Sequence, residues 1–391
     1  MVSQVLSGEN RTMAYFSRAG PTRALQSLEQ ALEPPRHAVG LPHLLGRVEA
    51  VAMYEIDFLP VGDGARSGDA IALRFTRPDT GTYAHVVIDA GFQDNGDELV
   101  RHINTYYGTD AIDLAILTHP DGDHIGGMGT VVRELNVATL WLHKLGDRGG
   151  SGLPAAAAVN DLISIAGMRG TEVQEPFAGD SAFGGALTVL GPDSTWYAQL
   201  VAEQQVEEAA KAAQRQPSRI VEAARTLGQR LLSSLPVEIP FDDHGGTSPR
   251  NNTSIITQLE VDGYRAVLTG DAGVPAMERA WDWLDANGQD SGAPSFIQIP
   301  HHGSRRNASS AMLDRILGPT GQSQDRSAYI SVVDESPDHP SPRVANAYMR
   351  RGYRVCRNGK KTICYSSDDA PARDGWVPIT PMSPMDESTE D

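Results

Sequence analysis

The stretch LTHPDGDHIGGMG, residues 117–129, places two histidines and two aspartates within His119-Pro120-Asp121-Gly122-Asp123-His124. It follows the apolar run IDLAILT (112–118) and leads into a string of glycines. In a tight loop leaving a strand, alternate residues can turn toward one centre while their neighbours point away. His119, Asp121 and Asp123, with the adjacent His124, therefore form a candidate metal-ligand set. Imidazole nitrogen mixed with carboxylate oxygen suits borderline divalent ions such as zinc or manganese, whereas calcium favours oxygen throughout. Gly126 and Gly127 allow the backbone to pass close to such a site. The competing reading, a polar turn with Asp123 as a helix N-cap, accounts poorly for four such side chains in six positions.

Two further stretches extend the set. LTGDAG ends an apolar run with Asp271, a carboxylate placed to bridge two ions, although alone an Asp before Gly is usually a turn residue. IPHHGS ends another with His301 and His302, and paired histidines at a strand end have few structural reasons to exist. Ligands drawn from separate strand ends are what an open catalytic metal site requires.

The rest of the chain bounds the possibilities. It has 391 residues, 40% hydrophobic and 21% charged, as expected of a globular protein. No apolar stretch approaches ~18 residues, so no membrane span is expected. The N-terminus lacks an apolar signal core, and Cys356 and Cys364 alone make no disulfide framework. A cytoplasmic location is the expectation. The formal net charge of -17 argues against a broad grip on duplex nucleic acid, which needs a basic footprint. Residues 343–361 run against that balance, with Arg343, Arg350, Arg351, Arg354, Arg357, Lys360 and Lys361 and no acid among them. They read as a solvated face in preference to a phosphate-binding patch.

Along the chain, short apolar runs alternate with helical spacing. DAIALRF (69–75), HVVIDAG (85–91), IDLAILT, VATLWLHKL and GALTVLGPD (185–193) read as strands. GDELVRHINTYYG and HIGGMGTVVREL read as helices between them, an α/β layered order. TSIITQLEV (253–261) and YRAVLTGDAG (264–273) read as a hairpin turning at Asp262-Gly263. SFIQIPHHGS and AYISVV are later strands, and YRVCRNGKKTICY (353–365) reads as a terminal hairpin turning near Asn358-Gly359. Residues 196–235, Ala- and Glu-rich and broken at Pro217, read as two helices inserted between strands. The expected organisation is an N-terminal extension over 1–52, helical around 21–33; a domain over 53–365 with a helical insertion at about 194–240; and an acidic tail over 366–391, expected to be disordered.

In order and spacing, His119-x-Asp121-x-Asp123-His124, Asp271 in TGDA, and HHGS resemble the metallo-β-lactamase superfamily. The nearest branch is the C-terminal metallohydrolase domain of bacterial competence DNA-uptake channels. VGDGARSGDAI, VVIDAG, NNTSIITQLE and HPSPRV agree in order as well. The resemblance covers roughly Met53 to Cys364. It implies an α/β fold, a four-layer αββα sandwich with the metal site at one edge and a helical insertion. The commoner superfamily motif has His where this chain has Asp121, a swap the competence-type branch shares. That branch also lacks the histidine usual before the bridging aspartate; this chain offers Asn251, Asn252 and Ser254 there. His244 could substitute, but it falls in the insertion, and a plain loop histidine is the simpler reading. The oxygen-rich set puts manganese beside zinc. The extra residues in VGDGARSGDA leave open whether Asp63 or Asp69 approaches the site.

These residues imply a metal-dependent hydrolase that uses a metal-bound hydroxide on two divalent ions, Zn2+ or Mn2+. His119, Asp121, Asp123, His124, Asp271, His301 and His302 are the candidate ligands, with the choice between His301 and His302 open. Asp123 orients the nucleophile, and His339 in DHPSP approaches a leaving oxygen or stands as an ordinary loop histidine. Arg305 and Arg306, with Asn252 and Ser304, are candidate substrate contacts, and guanidinium suits phosphate geometry. The expected substrate is a phosphodiester in nucleic acid or a nucleotide. A lactam, lactone or thioester is the alternative, as is a non-catalytic metal-binding protein that meets a partner through residues 1–52 or the insertion.

Overall fold

The computed structural model of the protein describes residues 13–17, 53–215, 246–322 and 325–389. The expected helix at 21–33, Pro217 and His244 lie outside these residues. Strands run in the order β1 (Met13–Ser17), β2 (Tyr54–Phe58), β3 (Gly62–Asp63), β4 (Arg66–Ser67), β5 (Ala70–Thr76), β6 (Tyr83–Ala90), β7 (Ala111–Ile116), β8 (Asn136–Trp141) and β9 (Glu172–Gln174). The later ones are β10 (Ser181–Ala182), β11 (Leu187–Gly191), β12 (Ile256–Val261), β13 (Tyr264–Leu268), β14 (Phe296–Gln298), β15 (Arg326–Ile330), β16 (Tyr353–Arg357), β17 (Ile363–Ser366) and β18 (Trp376–Pro378). They form one sheet in the order β18-β1-β17-β2-β5-β6-β7-β8-β9, a second in the order β10-β11-β12-β13-β14-β15-β16, and a separate β3-β4 ribbon. The helices are α1 (Asn95–His102), α2 (Gly122–Ile125), α3 (Met128–Glu134), α4 (Ala156–Arg169), α5 (Ser194–Arg215), α6 (Val274–Ala286), α7 (Ser310–Leu317) and α8 (Pro342–Arg350).

Strand alternation explains the layering. In β5, Ile71, Leu73 and Phe75 enter the core between the sheets, while Ala70 and Ala72 face the first helical layer. In β6, Val86 and Ile88 point inward and Val87 outward to the same layer, where Leu99 of α1 and Met128, Val131 and Val132 of α3 pack. The second sheet mirrors this: Phe296 and Tyr329 face the first sheet, while Ile297, Ala328 and Val355 meet Met277, Trp281, Leu313 and Tyr348 of α6, α7 and α8. Each large apolar side chain so buried stabilises the fold by about 1.5–3 kcal/mol. The result is helix–sheet–sheet–helix.

Parallel pairing fixes where the loops go. β6 and β7 are parallel, as are β13, β14 and β15. The loops after their carboxyl ends therefore open on one edge, where ligands collect in such sheets. The end of β6 carries Asp89, and the loops carry His119–His124, Asp271 and His301–His302.

The 253–273 hairpin forms as expected, with Val261 opposite Tyr264 and a turn at Asp262 and Gly263, both at positive φ. The terminal hairpin does not. β16 pairs parallel with β15 in the second sheet, whereas β17 pairs antiparallel with β2 in the first. The Asn358-Gly359 segment is thus a crossover between sheets: Asn358 Nδ2 donates to Leu59 O at 2.8 Å, and its Oδ1 accepts from Val332 N at 2.9 Å.

The tail expected to be disordered is instead folded onto the sandwich as far as residue 389. β18 pairs with β1, Asn346 holds Met385 through two hydrogen bonds of 2.8 and 2.9 Å, and Arg373 reaches Asp57 at 2.8 Å. The N-terminal extension contributes a strand, β1, parallel to β17. α5 begins inside the core, since Tyr197 and Val201 join the first helical layer and Trp196 and Leu200 the second. α5 thus packs into both layers from its first turns, within the span of about 194–240 expected as an insertion. Among the described residues no helix is long and apolar enough to cross a membrane.

Candidate metal centre

The 117–129 loop leaves β7 and turns at once into α2, so His119 is buried beneath it while Asp121 and Asp123 stay partly open. Gly127 cannot carry a side chain here, because a Cβ would collide with the Ala90 carbonyl and the Gly96 backbone. That close approach brings α2 and α3 onto the end of β6, as the glycine pair suggested.

Asp271 stands at the middle. Its Oδ2 lies 3.7 Å from His119 Nε2 and 3.6 Å from His301 Nε2, and its Oδ1 lies 3.5 Å from His124 Nε2. His119 Nε2 is also 3.8 Å from Asp121 Oδ2, and His302 Nε2 is 3.7 Å from Asp123 Oδ2. Two sets of contacts result. His119, Asp121 and His301 gather around Asp271 Oδ2, and Asp123 and His302 stand with His124, which also lies with His119 and Asp271. Both histidines of HHGS thus face the cluster, from opposite sides. Each has positive φ, 48° and 55°. That conformation costs a non-glycine residue about 1–3 kcal/mol and persists where surroundings enforce it, often at functional sites.

The imidazoles are oriented from behind. Asp89 Oδ2 is 2.7 Å from His124 Nδ1, and the same carboxylate accepts from Thr118 N at 2.8 Å and Thr118 Oγ1 at 2.6 Å. His302 Nδ1 donates to Ser331 O at 2.8 Å, and His119 Nδ1 is 3.1 Å from Thr118 Oγ1. Each contact takes up Nδ1 and leaves Nε2 aimed inward, the arrangement typical of metal-binding histidines.

Among the described residues none forms a hydrogen bond to those inward atoms. Nε2 of His119, His124 and His302 and Oδ1 of Asp69 and Asp271 are buried without hydrogen-bond partners. Leaving a buried polar group unpaired costs about 1–3 kcal/mol, so five converging on one place point to a cation as their partner. The electrostatics agree. Burial alone would raise the Asp271 carboxyl, yet the facing His301 and His124 hold it well below the ordinary carboxylate range. Burial likewise opposes the charge on His302, but the facing Asp123 and Asp271 carboxylates raise it to about 9. The same balance holds Asp123 at about 2. This donor set draws positive charge inward and fits divalent metal.

Asp69 belongs to the site. It is buried, its Oδ2 accepts from Gln298 Nε2 at 2.9 Å and lies 3.9 Å from His124 Nδ1, and burial raises its carboxyl. The side chain of Asp63 lies outside the described residues. Asn252, a candidate substrate contact, is used otherwise: its Oδ1 accepts from Gly273 N at 3.1 Å. Ser304 Oγ accepts from Arg306 N at 3.3 Å while lining the cavity beyond His301. That cavity, of about 830 Å³, also has Arg305, Arg306, Arg357 and His339 in its wall. The His339 ring centre is 5.9 Å from that of His301 and 6.4 Å from that of His302. Burial and those two rings lower its pKa. Most of the basic 343–361 run is paired with acids: Arg350 with Glu387, Arg351 with Asp314, Arg354 with Asp325, Arg357 with Asp334 and Lys360 with Glu335. It is a paired surface.

Two residues of the site escaped the sequence reading. Asp89 had a legible signal, since VVIDAG ends a strand with Asp-Gly-type punctuation as LTGDAG does. Arg250, whose Nη1 is 2.7 Å from Asp121 Oδ1, had none.

Residues 79–195 match the model of the metallo-β-lactamase superfamily. Among solved structures, unliganded yeast PDE1 is 12% identical, with 83% of this chain and 98% of that chain covered and a TM-score of 0.39. A metallo-β-lactamase from Hirschia baltica is 13% identical, with 61% and 83% covered and a TM-score of 0.30. No curated protein matches the chain. The two mixed sheets flanked by helices, with the His/Asp cluster at one edge, make this the αββα sandwich of the metallo-β-lactamase fold.

Proposed function

We propose that this protein is a divalent-metal-dependent hydrolase that cleaves phosphodiesters, in nucleic acid or in a nucleotide. The observation that carries this reading is the cavity opening from His301, whose wall presents Arg305, Arg306 and Arg357 beside the two-subsite cluster. Asp338 is the acid among its lining residues. A guanidinium pair suits the planar, anionic face of a phosphate and gives no advantage on a neutral lactam or thioester.

His119, Asp121, His301, Asp123, His124 and His302 would hold two ions, with Asp271 between them. Bound divalent ions supply Lewis acidity and a water of lowered pKa at neutral pH. The chain's own part is placement. Asp89, Ser331 and Thr118 fix the imidazole orientations, and Asp123, partly exposed beside His302, would orient the attacking water. His339, whose pKa burial and the two facing rings lower, would turn a ring nitrogen toward the leaving oxygen. Among the described residues its buried Nδ1 has no hydrogen-bond partner.

Arg305→Ala with Arg306→Ala tests the reading. The double variant should lose at least tenfold in phosphodiester turnover, about 1.4 kcal/mol of transition-state stabilisation, with metal content unchanged. Turnover of bis(p-nitrophenyl) phosphate and a short oligonucleotide is measured beside a thioester, a lactone and a lactam. Hydrolysis confined to the carbonyl substrates would overturn the phosphodiester assignment.

A further inference from the structure

Arg250 makes the two metal subsites unequal. It comes from the turn preceding Asn251–Thr253, and its Nη1 donates to Asp121 Oδ1 at 2.7 Å. The other oxygen of that carboxylate, Oδ2, is the one turned to His119 Nε2. Asp121 is therefore divided between a guanidinium and the first subsite. Among the described residues the other acids near Arg250 are Glu208, 4.0 Å from Nη2, and Glu207, both on α5 and both shared with Lys211. They do little to offset the arginine.

The second subsite meets the opposite balance. Among the described residues Asp123 has no arginine partner, and buried Asp69 and Asp89 stand behind His124. Asp271 serves both sides equally. The difference between the subsites is thus an arginine against one and two extra buried carboxylates against the other. Coulombic repulsion between this guanidinium and a dication held by the same carboxylate disfavours filling of that subsite.

We propose that Arg250 is a positioning residue that weakens the His119/Asp121 subsite, so that this subsite fills after the Asp123/His124/His302 one. The loading order rests on the metal-centre reading and does not depend on the choice of substrate.

Metal-stripped protein titrated with Mn2+ by calorimetry tests it, after circular dichroism has shown each variant folded. The parent should show one tight and one weaker event. In Arg250→Met the weaker event should tighten about fivefold or more, with the tight one unchanged, as expected for removal of one partly exposed charge. Arg250→Gln repeats the charge loss with a polar side chain and should behave alike. Arg250→Lys keeps the charge and should stay near the parent. A weaker event that is unchanged or further loosened in both neutral variants overturns the proposal. A parent that takes up no Mn2+ sinks the metal centre as well, and the two failures are told apart by the parent alone.

Discussion

The carboxylate of Asp271 faces His124 through one oxygen at 3.5 Å and both His119 and His301 through the other at 3.7 and 3.6 Å. Its two oxygens face ligands of both sets, so its loss should be felt at both. Asp271→Ala is expected to bring bound metal from about two equivalents to below one. Asp123→Ala should remove only one. Elemental analysis of the purified variants decides; equal losses in the two would contradict the bridging role.

Asp89 holds His124 and Thr118 from a positive φ of 55°. Asp89→Asn preserves shape but no longer offers two anionic oxygens to Thr118 and the imidazole. Loss of such a partner behind a metal-binding histidine typically costs about 10–100-fold in metal affinity. Competition with a chelator of known strength measures it. Unaltered affinity would mean that packing alone orients His124.

His143 gives a pH prediction away from the metal cluster. It is fully buried, its Nε2 lies 2.7 Å from Pro176 O, and burial pushes its pKa down to about 4. The unfolded chain takes up this proton near pH ~6.5 while the folded one resists until about 4. The unfolded state thus binds more protons between those values, and stability falls as pH drops through that window. The loss reaches on the order of 3 kcal/mol at its lower end and is absent above pH ~6.5. Urea midpoints of parent and His143→Gln between pH 4 and 7 check this. The variant should show a flatter profile.

Arg373 fastens the C-terminal segment by pairing with buried Asp57 and Glu55 and lying against Tyr106 and Trp376. Arg373→Met would leave Asp57 with only His102 and Tyr107, at 2.9 and 2.8 Å. Removing one partner of a buried charge pair costs about 3–5 kcal/mol. Denaturant unfolding should show that loss, and limited proteolysis should cut after Ser366 sooner than in the parent, with metal content intact.

Leu200, 2% exposed, packs with the second helical layer from the start of α5. Leu200→Ala should destabilise the protein by about 2–5 kcal/mol, whereas a detachable appendage would lose almost nothing. The unfolding midpoint separates the two.

The sequence by itself determined the ligand-bearing loops. His119–His124, Asp271 and His301–His302 each follow a short apolar run, and both the run and the punctuation after it are local properties. Period-two alternation in β5 and β6 fixed which faces are buried, because a strand cannot turn one side chain without turning the next. The tertiary structure alone decided which sheet each late strand joined: YRVCR and ICY look like two arms of one hairpin, yet β16 follows β15 and β17 follows β2. Nothing local distinguishes those pairings, since both strands are apolar and only the space left by earlier strands selects a partner. The same holds for the fastening of residues 366–389, whose acidic, Pro-rich composition gives no sign that Arg373 meets Asp57. Arg250 and Asp121, 129 positions apart, are the sharpest case. A charge pair across that separation leaves no periodic trace, and only the folded chain brings its two ends together.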